Sequence, residues 1–338
     1  MIGLRGMAFG AISALVTMSP GQSSAHNPQD FGQFLRGSTM GDPVAAAPPP
    51  GLYFENTTLL AQHIVGNGQV AGVNVNALVD IPLFVWSTGV NVLGASLVAY
   101  AAQPVFNLTA WQSALSPNVP YQPAQFYPTI HNTFINPIAL SWNLGGGLFV
   151  SGAFGFYVPD GSAYDLTPNP DYWTFEPHVA VSYLANGWDL TAHFIYDINT
   201  ASAGHSSPFA GTPAAPFGMG YQSGDQLFLD LTATKKWGKW ELGPVAYFEW
   251  QTTSDRPGSG FSCLQMQAAT TVSCGRATDY AVGGLVGYDW GPVAMKVTMT
   301  DTLYHADERG GLALWTKLSF PLWMPEAAAK KPLLTKAK

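Results

Sequence analysis

Acidic and histidine side chains recur at alternate positions in the second half of the chain, which places them on one face of extended segments. A row of carboxylates and imidazoles can bind a cation, transfer a proton or line a water-filled channel. The candidate lining or ligand-contact residues are Glu176, His178, Asp189, His193, Asp197, Asn199, Asp225, Asp230, Tyr247 and Glu249.

Carboxylates outnumber cations on this face. Glu241, Asp279 and Asp289 extend the acidic set, and the opposing cations are Lys236, Lys296 and Lys317. One interpretation is a lining that disfavours carboxylates and passes neutral or cationic solutes, because like charges repel strongly in a narrow lumen. The other is that these charges solvate a water-filled wall and pair with the lysines.

Asp197, Asn199 and Asp225 lie at the ends of neighbouring extended segments, close to Tyr221 and Ser223. Two interpretations stay open for this group. It could position a ligand at the mouth of a passage, or it could tie a loop down, as Asp, Asn, Ser and Gly commonly do in turns.

The same residues do not favour catalysis or metal binding. The histidines are scattered along the chain, and the sequence contains no Gly-x-Ser-x-Gly motif of the kind that presents a nucleophilic serine. We therefore expect no enzyme, no metal and no cofactor. A lipid-processing enzyme of the outer membrane is retained as a weaker alternative.

The elements that carry these side chains are predicted to be membrane-spanning strands. Only 10% of the residues are charged, against roughly 25% in soluble domains. Beyond the first twenty residues no apolar run approaches the ~20 residues of a spanning helix. From Trp188 to Ile198 apolar and polar residues alternate, which is typical of strands. In lipid such strands satisfy their backbone only in a closed barrel.

Aromatic residues mark both ends of these strands. Trp173 and Tyr183, Trp240 and Trp250, and Tyr280 and Trp290 are each ten residues apart and therefore share a face. Ten tilted residues span roughly 25 Å, the height of the apolar band between the aromatic girdles of an outer-membrane barrel. The predicted girdle residues are Trp142, Trp173, Trp188, Trp240, Trp250 and Trp290.

Short and long connections alternate, as expected for periplasmic turns and extracellular loops. The sequence predicts an all-β, transmembrane antiparallel β-barrel of about twelve strands, with ten or fourteen also compatible. The predicted strands lie near 51–60, 69–79, 90–101, 131–143, 146–157, 172–184, 188–199, 223–236, 239–251, 278–289, 291–303 and 310–320, and residues 102–130 are predicted to form a long outer loop.

The barrel is predicted to cover residues 51–322, and the segments that flank it have patterns that predict other structures. Residues 1–25 are typical of a signal peptide. Residues 26–50 are either a flexible periplasmic lead-in or a plug that folds into the lumen through Phe31 to Leu35. Residues 323–338 are predicted to form a flexible tail, and Cys263 and Cys274 are predicted to form a disulfide in an oxidising compartment.

Several motifs resemble the outer-membrane family of the MetA pathway of phenol degradation, the SphA-type transporters. Across about 50–325 the matching runs are Pro49 to Phe54, Tyr157 to Gly161, Asn169 to Trp173, Tyr196 to Asn199, Tyr221-Gln222-Ser223-Gly224-Asp225 and Gly243 to Asp255. The chain departs from the family at Asp160, where Thr is frequent, and in Leu231 to Lys236, which lacks the usual Tyr.

This resemblance implies an outer-membrane channel for passive uptake of small hydrophobic or aromatic compounds in a Gram-negative bacterium. The expected partners are outer-membrane lipid, such a solute and the barrel-assembly machinery. The net charge of −7 argues against nucleic acid. The alternative is a structural or ligand-sensing barrel with a filled lumen.

Overall fold

A computed structural model describes residues 32–65, 73–112, 128–161, 172–201, 221–257, 275–306 and 308–325. Its strands are β1 (Gly51–Val65), β2 (Val73–Val92), β3 (Ala95–Ala102), β4 (Val105–Gln112), β5 (Pro128–Ile130), β6 (Thr133–Gly145), β7 (Leu148–Val158), β8 (Thr174–Tyr183), β9 (Trp188–Asn199), β10 (Tyr221–Gln222), β11 (Gln226–Trp237), β12 (Trp240–Gln251), β13 (Arg256–Pro257), β14 (Thr278–Asp289), β15 (Ala294–Ala306) and β16 (Arg309–Trp323). In these ranges no helix is long and apolar enough to cross a membrane.

The strands form one closed antiparallel ring. Fourteen segments are hydrogen-bonded in one sheet, in which β1 pairs with both β2 and β16. Because β4 continues β3 and β5 continues β6, the wall contains twelve strands. The short pair β10–β13 lies apart from this sheet. The prediction of a twelve-stranded antiparallel barrel is therefore confirmed.

Strand β9 shows why this sequence closes into a barrel. Its even-numbered side chains point outward, and Phe194 and Ile198 are exposed. Its odd-numbered side chains are buried in the lumen, among them His193 and Asp197. Alternation of two residues per repeat thus puts an apolar face toward lipid and a polar face inside.

The second and third strands differ from the prediction. The structure ends β2 at Val92 and turns at Leu93 and Gly94, whose φ angles are 54° and 82°. Such a turn requires positive φ at both positions, and Leu rarely adopts it, so the residue types did not reveal it. The predicted bounds 69–79 and 90–101 were wrong for this reason, and β4 and β5 occupy part of the predicted loop 102–130.

The two ends of the barrel are unlike each other. Successive strands are joined at one end by tight connections, as between Trp237 and Trp240, and both Gly51 and Trp323 lie at that end. At the opposite end the connections are longer, as between Asn199 and Gln226. This arrangement is typical of outer-membrane barrels, in which the short turns face the periplasm.

Candidate functional site

Residues 32–50, here called the luminal segment, lie inside the ring and bind its polar wall through their backbone. Asp230 of β11 accepts hydrogen bonds from the backbone N–H of Gly37 (3.0 Å) and of Thr39 (3.1 Å), and from the Thr39 hydroxyl (2.7 Å). Asp197 of β9 accepts from Phe34 N–H at 3.2 Å. The wall thus supplies acceptors that a chain without regular structure would otherwise lack.

Arg36 is the main charged anchor of the luminal segment. Its guanidinium lies 2.9 Å from Glu249, 2.7 Å from Asp279 and 3.3 Å from Glu308, and it lies over the Tyr247 ring. Burial alone would lower the pKa of Arg36, but the carboxylates of Glu308, Glu249 and Asp279 outweigh it and raise the pKa well above its usual value. Arg36 therefore keeps its charge inside the barrel.

Two wall lysines hold the segment further along its course. Lys317 of β16 pairs with Asp42. Lys296 of β15 donates to the Gly41 carbonyl and lies 3.5 Å from Glu241. Lys296 and Lys317, like Glu241, Glu249 and Asp279, therefore have an oppositely charged partner in the wall or in the luminal segment, which favours the pairing interpretation over a lining of bare carboxylates.

Apolar contacts add to the anchoring of the luminal segment. Leu35 and Met40 of the segment pack against inward-facing apolar residues of the wall, which is unusual for a purely water-filled pore. This cluster contains Leu59, Ala61, Ala77, Val79, Phe106, Val245, Tyr247, Ala281, Leu285, Ala313 and Trp315.

A row of hydrogen bonds links the wall to the luminal segment. The Tyr100 hydroxyl lies 2.9 Å from Nε2 of His178, whose Nδ1 lies 2.8 Å from Nε2 of His193. Nδ1 of His193 lies 3.0 Å from the hydroxyl of Thr39, which also bonds Asp230. The contact between the two rings needs one proton, so one histidine donates it and the other accepts it. All four ring nitrogens of His178 and His193 therefore have a hydrogen-bond partner.

A cavity of about 500 Å³ separates the luminal segment from the less polar part of the wall. It extends from Phe106 and Tyr157, near the long connections, to Gly291 and Pro292 in a short turn. The cavity therefore extends along much of the barrel on this side of the lumen. Its inward-facing apolar wall residues are Ile81, Leu83, Val85, Val98, Ala102, Phe106, Phe134, Ala139 and Ala153.

The mouth of the barrel is tied by side chains from neighbouring strand ends. Asp225 accepts from Asn199 N–H at 3.0 Å, and the Asn199 side chain donates to the Gly224 carbonyl at 2.8 Å. Asp255 accepts from Gly224 N–H (2.8 Å) and from the Gln251 side chain (2.6 Å). These bonds support the loop-tying interpretation of Asn199 and Asp225.

We expect Asp255→Ala to destabilise this end by about 1–3 kcal/mol, because Gly224 N–H and the Gln251 amide then lose a buried acceptor. The measurement is protease cleavage of the loops with increasing temperature. Ser254→Ala is the control, since the Ser254 hydroxyl accepts an exposed 3.3 Å bond from Arg276 and not a buried one among the described residues. Equal cleavage of the two variants would contradict the prediction.

The structure brings most predicted site residues into the lumen. Buried and inward-facing are Glu176, His178, Asp189, His193, Asp197, Asn199, Asp230, Tyr247 and Glu249, whereas Asp225 is half-buried at the mouth. Sequence reasoning missed Arg36, Thr39 and Asp42, for which no local pattern gave a signal. It also missed Tyr100, which lies in a strand for which only bounds, 90–101, were predicted and no inward face.

Most of the predicted girdle residues have exposed outward side chains; these are Trp173, Trp188, Trp240, Trp250 and Trp290. Trp142 is half-buried, and its indole donates to the Leu93 carbonyl at 3.1 Å. Cys263 and Cys274, residues 1–31 and residues 326–338 lie outside the described residues, so the predicted disulfide, signal peptide and tail remain predictions. Within the described ranges no three His, Cys, Asp or Glu residues form a metal-binding group.

A family model described as "Putative MetA-pathway of phenol degradation" matches residues 62–302. No curated protein sequence matches the chain. The COG4313 outer membrane channel from Pseudomonas putida F1 superposes with a TM-score of 0.64 at 10% identity, covering 83% of this chain and 98% of that one. At this identity the likeness shows the fold.

Two further structures are more distant. The translocator domain of the autotransporter NalP from Neisseria meningitidis has a TM-score of 0.45 at 12% identity, covering 80% of this chain and 88% of that one. The toluene transporter TbuX of Ralstonia pickettii has a TM-score of 0.31 at 9% identity, covering 89% and 96%. Both likenesses are too low to carry an argument about this chain.

Proposed function

The chain belongs to the family described as the putative MetA-pathway of phenol degradation, and from this premise we propose that it is an outer-membrane channel for passive uptake of small hydrophobic or aromatic compounds. The observation that carries the proposal is the elongated cavity of about 500 Å³ beside the luminal segment. Ligand passages and pockets of this size accommodate small organic molecules.

The division of the lumen supports this role. The polar wall, with Asp197 and Asp230, is occupied by the luminal segment, whereas Leu83, Val98 and Phe134 face the cavity. On this side of the cavity a hydrophobic solute meets apolar surface, whereas charged side chains, among them Glu55, Lys296 and Lys317, line another part of it. Flux through it needs only a concentration gradient. We also infer lipid contact around the outward face and insertion by the barrel-assembly machinery.

We expect Ala139→Trp to block uptake, because Ala139 lines the cavity and an indole there fills its cross-section. The measurement is the initial fluorescence rise of N-phenyl-1-naphthylamine in Gram-negative cells with intact lipopolysaccharide that express the full chain. The rate should fall to that of cells without the protein. Ala192→Trp, the same change on the outward face of β9, should retain the wild-type rate.

Two results would contradict the channel. If both tryptophan variants keep the wild-type rate, the cavity is not the route. If wild-type protein gives no rate above that of empty cells, the alternative of a structural or ligand-sensing barrel with a filled lumen is favoured.

The structure offers less support for a lipid enzyme. Two hydroxyls contact the histidine pair: that of Tyr100, 2.9 Å from His178, and that of Thr39, which already bonds both Asp230 and His193. A nucleophile needs a base to take its proton and space for a substrate at the oxygen. We therefore propose a non-catalytic role for His178 and His193, which connect the wall to the luminal segment.

A further inference from the structure

Four aromatic side chains gather at the end of the cavity near the long connections. Tyr100 of β3, Phe106 of β4, Phe134 of β6 and Tyr157 of β7 all line it, and we call this group the aromatic pocket. The rings of Phe134 and Tyr157 are 4.6 Å apart between centroids, and those of Tyr100 and Phe134 are 6.0 Å apart. These are distances at which aromatic rings attract one another.

The backbone of β7 is shaped to receive these rings. A Cβ atom at Gly155 would lie 2.5 Å from the ring of Phe134, so the ring rests directly on the strand only because residue 155 has no side chain. Phe106, Phe134 and Tyr157 are 6%, 7% and 5% exposed. The packed rings form a fixed, dry wall on which a further flat ring can stack at low entropic cost.

The polar groups that border the aromatic pocket interact with one another. The Tyr100 hydroxyl is bonded to His178 at 2.9 Å, and the carboxyl group of Glu176 lies close to Tyr157 and to the carboxyl group of Asp197. The lysines that line the cavity, Lys236, Lys296 and Lys317, belong to the part nearer the short turns. A solute carboxylate in the pocket would therefore meet carboxyl groups and, among the described residues that line this end of the cavity, no lysine or arginine.

We infer that the aromatic pocket is a binding site that selects neutral compounds with a flat aromatic ring over saturated compounds of equal size and over aromatic carboxylates. This deepens the proposed function by naming the solute class of the same cavity. Aromatic contacts discriminate because a flat ring gains edge-to-face and stacking geometry that a puckered ring does not.

The test compares three soluble probes with the detergent-solubilised full chain: benzyl alcohol, cyclohexylmethanol and benzoate. The two alcohols share a head group and differ only in the ring, so they should partition into detergent to a similar extent. Titrations with empty micelles measure that partition and allow it to be subtracted. We expect benzyl alcohol to bind about two- to tenfold more tightly than cyclohexylmethanol, as measured by ligand-observed NMR titration. Benzoate should bind at least about tenfold more weakly than benzyl alcohol.

Phe134→Leu should remove the preference for the aromatic alcohol, and Phe154→Leu, the outward-facing neighbour on β7, should keep it. Folding of each variant is checked by its heat-dependent shift on gels, and Phe106→Leu provides a second pocket variant. Equal affinities for the two alcohols, a preference that survives both pocket variants, or tight binding of benzoate would overturn the site.

The outcome is separable from that of the channel proposal. Dye uptake without ring selectivity leaves the channel in place and rejects the aromatic pocket. Ring-selective binding without uptake retains the pocket and rejects the channel.

Discussion

Replacement of Arg36 by glutamate is expected to open the lumen, raising the single-channel conductance in planar bilayers several-fold. In the native protein the guanidinium of Arg36 forms ion pairs with Glu249, Asp279 and Glu308. Arg36→Glu would place a fourth carboxylate among these three, and loss of a buried ion-pair partner alone costs about 3–5 kcal/mol. The luminal segment can relieve this repulsion by leaving the wall.

Ion selectivity gives a second readout of the same change. Release of the segment uncovers Asp197 and Asp230 together with Glu249 and Asp279, so the widened lumen should prefer cations. Arg276→Glu is the matched control, because Arg276 is exposed and hydrogen-bonds only weakly to Ser254. Unchanged conductance in Arg36→Glu, or anion preference in the opened state, would show that Arg36 does not hold the segment.

The second large effect concerns the outer face. Val179 lies in the middle of β8 and is 56% exposed, and its partners across the sheet are Gly152 and Phe194. Val179→Arg is expected to lower the free energy of unfolding from lipid by about 2–4 kcal/mol, because the charge would lie near the bilayer midplane. The measurement is equilibrium unfolding by denaturant in the presence of lipid vesicles.

Val90→Arg is the control for depth. Val90 is similarly exposed but lies beside the short turn at Leu93 and Gly94, where the same charge should cost about 0–1 kcal/mol. If the two variants unfold alike, the membrane does not lie where the apolar band and the Trp residues place it.

Strands with strict alternation were predictable from sequence. In β9, β12 and β14 each residue's side is fixed by period two, and the predicted bounds 188–199, 239–251 and 278–289 differ little from those observed. The second strand was not predictable, because its turn uses Leu93 in a left-handed conformation and a shift in pairing at Gly89 interrupts the alternation.

Of the candidate site, only the residues that belong to the barrel wall were predictable from the sequence. Asp230 and Glu249 reveal their inward position through their strands, but nothing near them in sequence shows that Thr39 and Arg36 are their partners. These contacts join residues far apart in the chain, in a segment with no periodic pattern. The aromatic pocket was missed for a related reason, since the bounds of the strand that carries Tyr100 were wrong and Phe106 was placed in the predicted loop 102–130.

The pairing of β1 with β16 has a consequence for how the molecule is made. These strands come from opposite ends of the barrel sequence, so the ring closes through contacts of the greatest sequence separation, which form slowly. The luminal segment runs directly into β1 at Gly51 and binds strands as distant as β11 and β15. Until the seam closes, its anchoring groups are spread over an open sheet, and folding of the wall and seating of the segment are therefore one cooperative event.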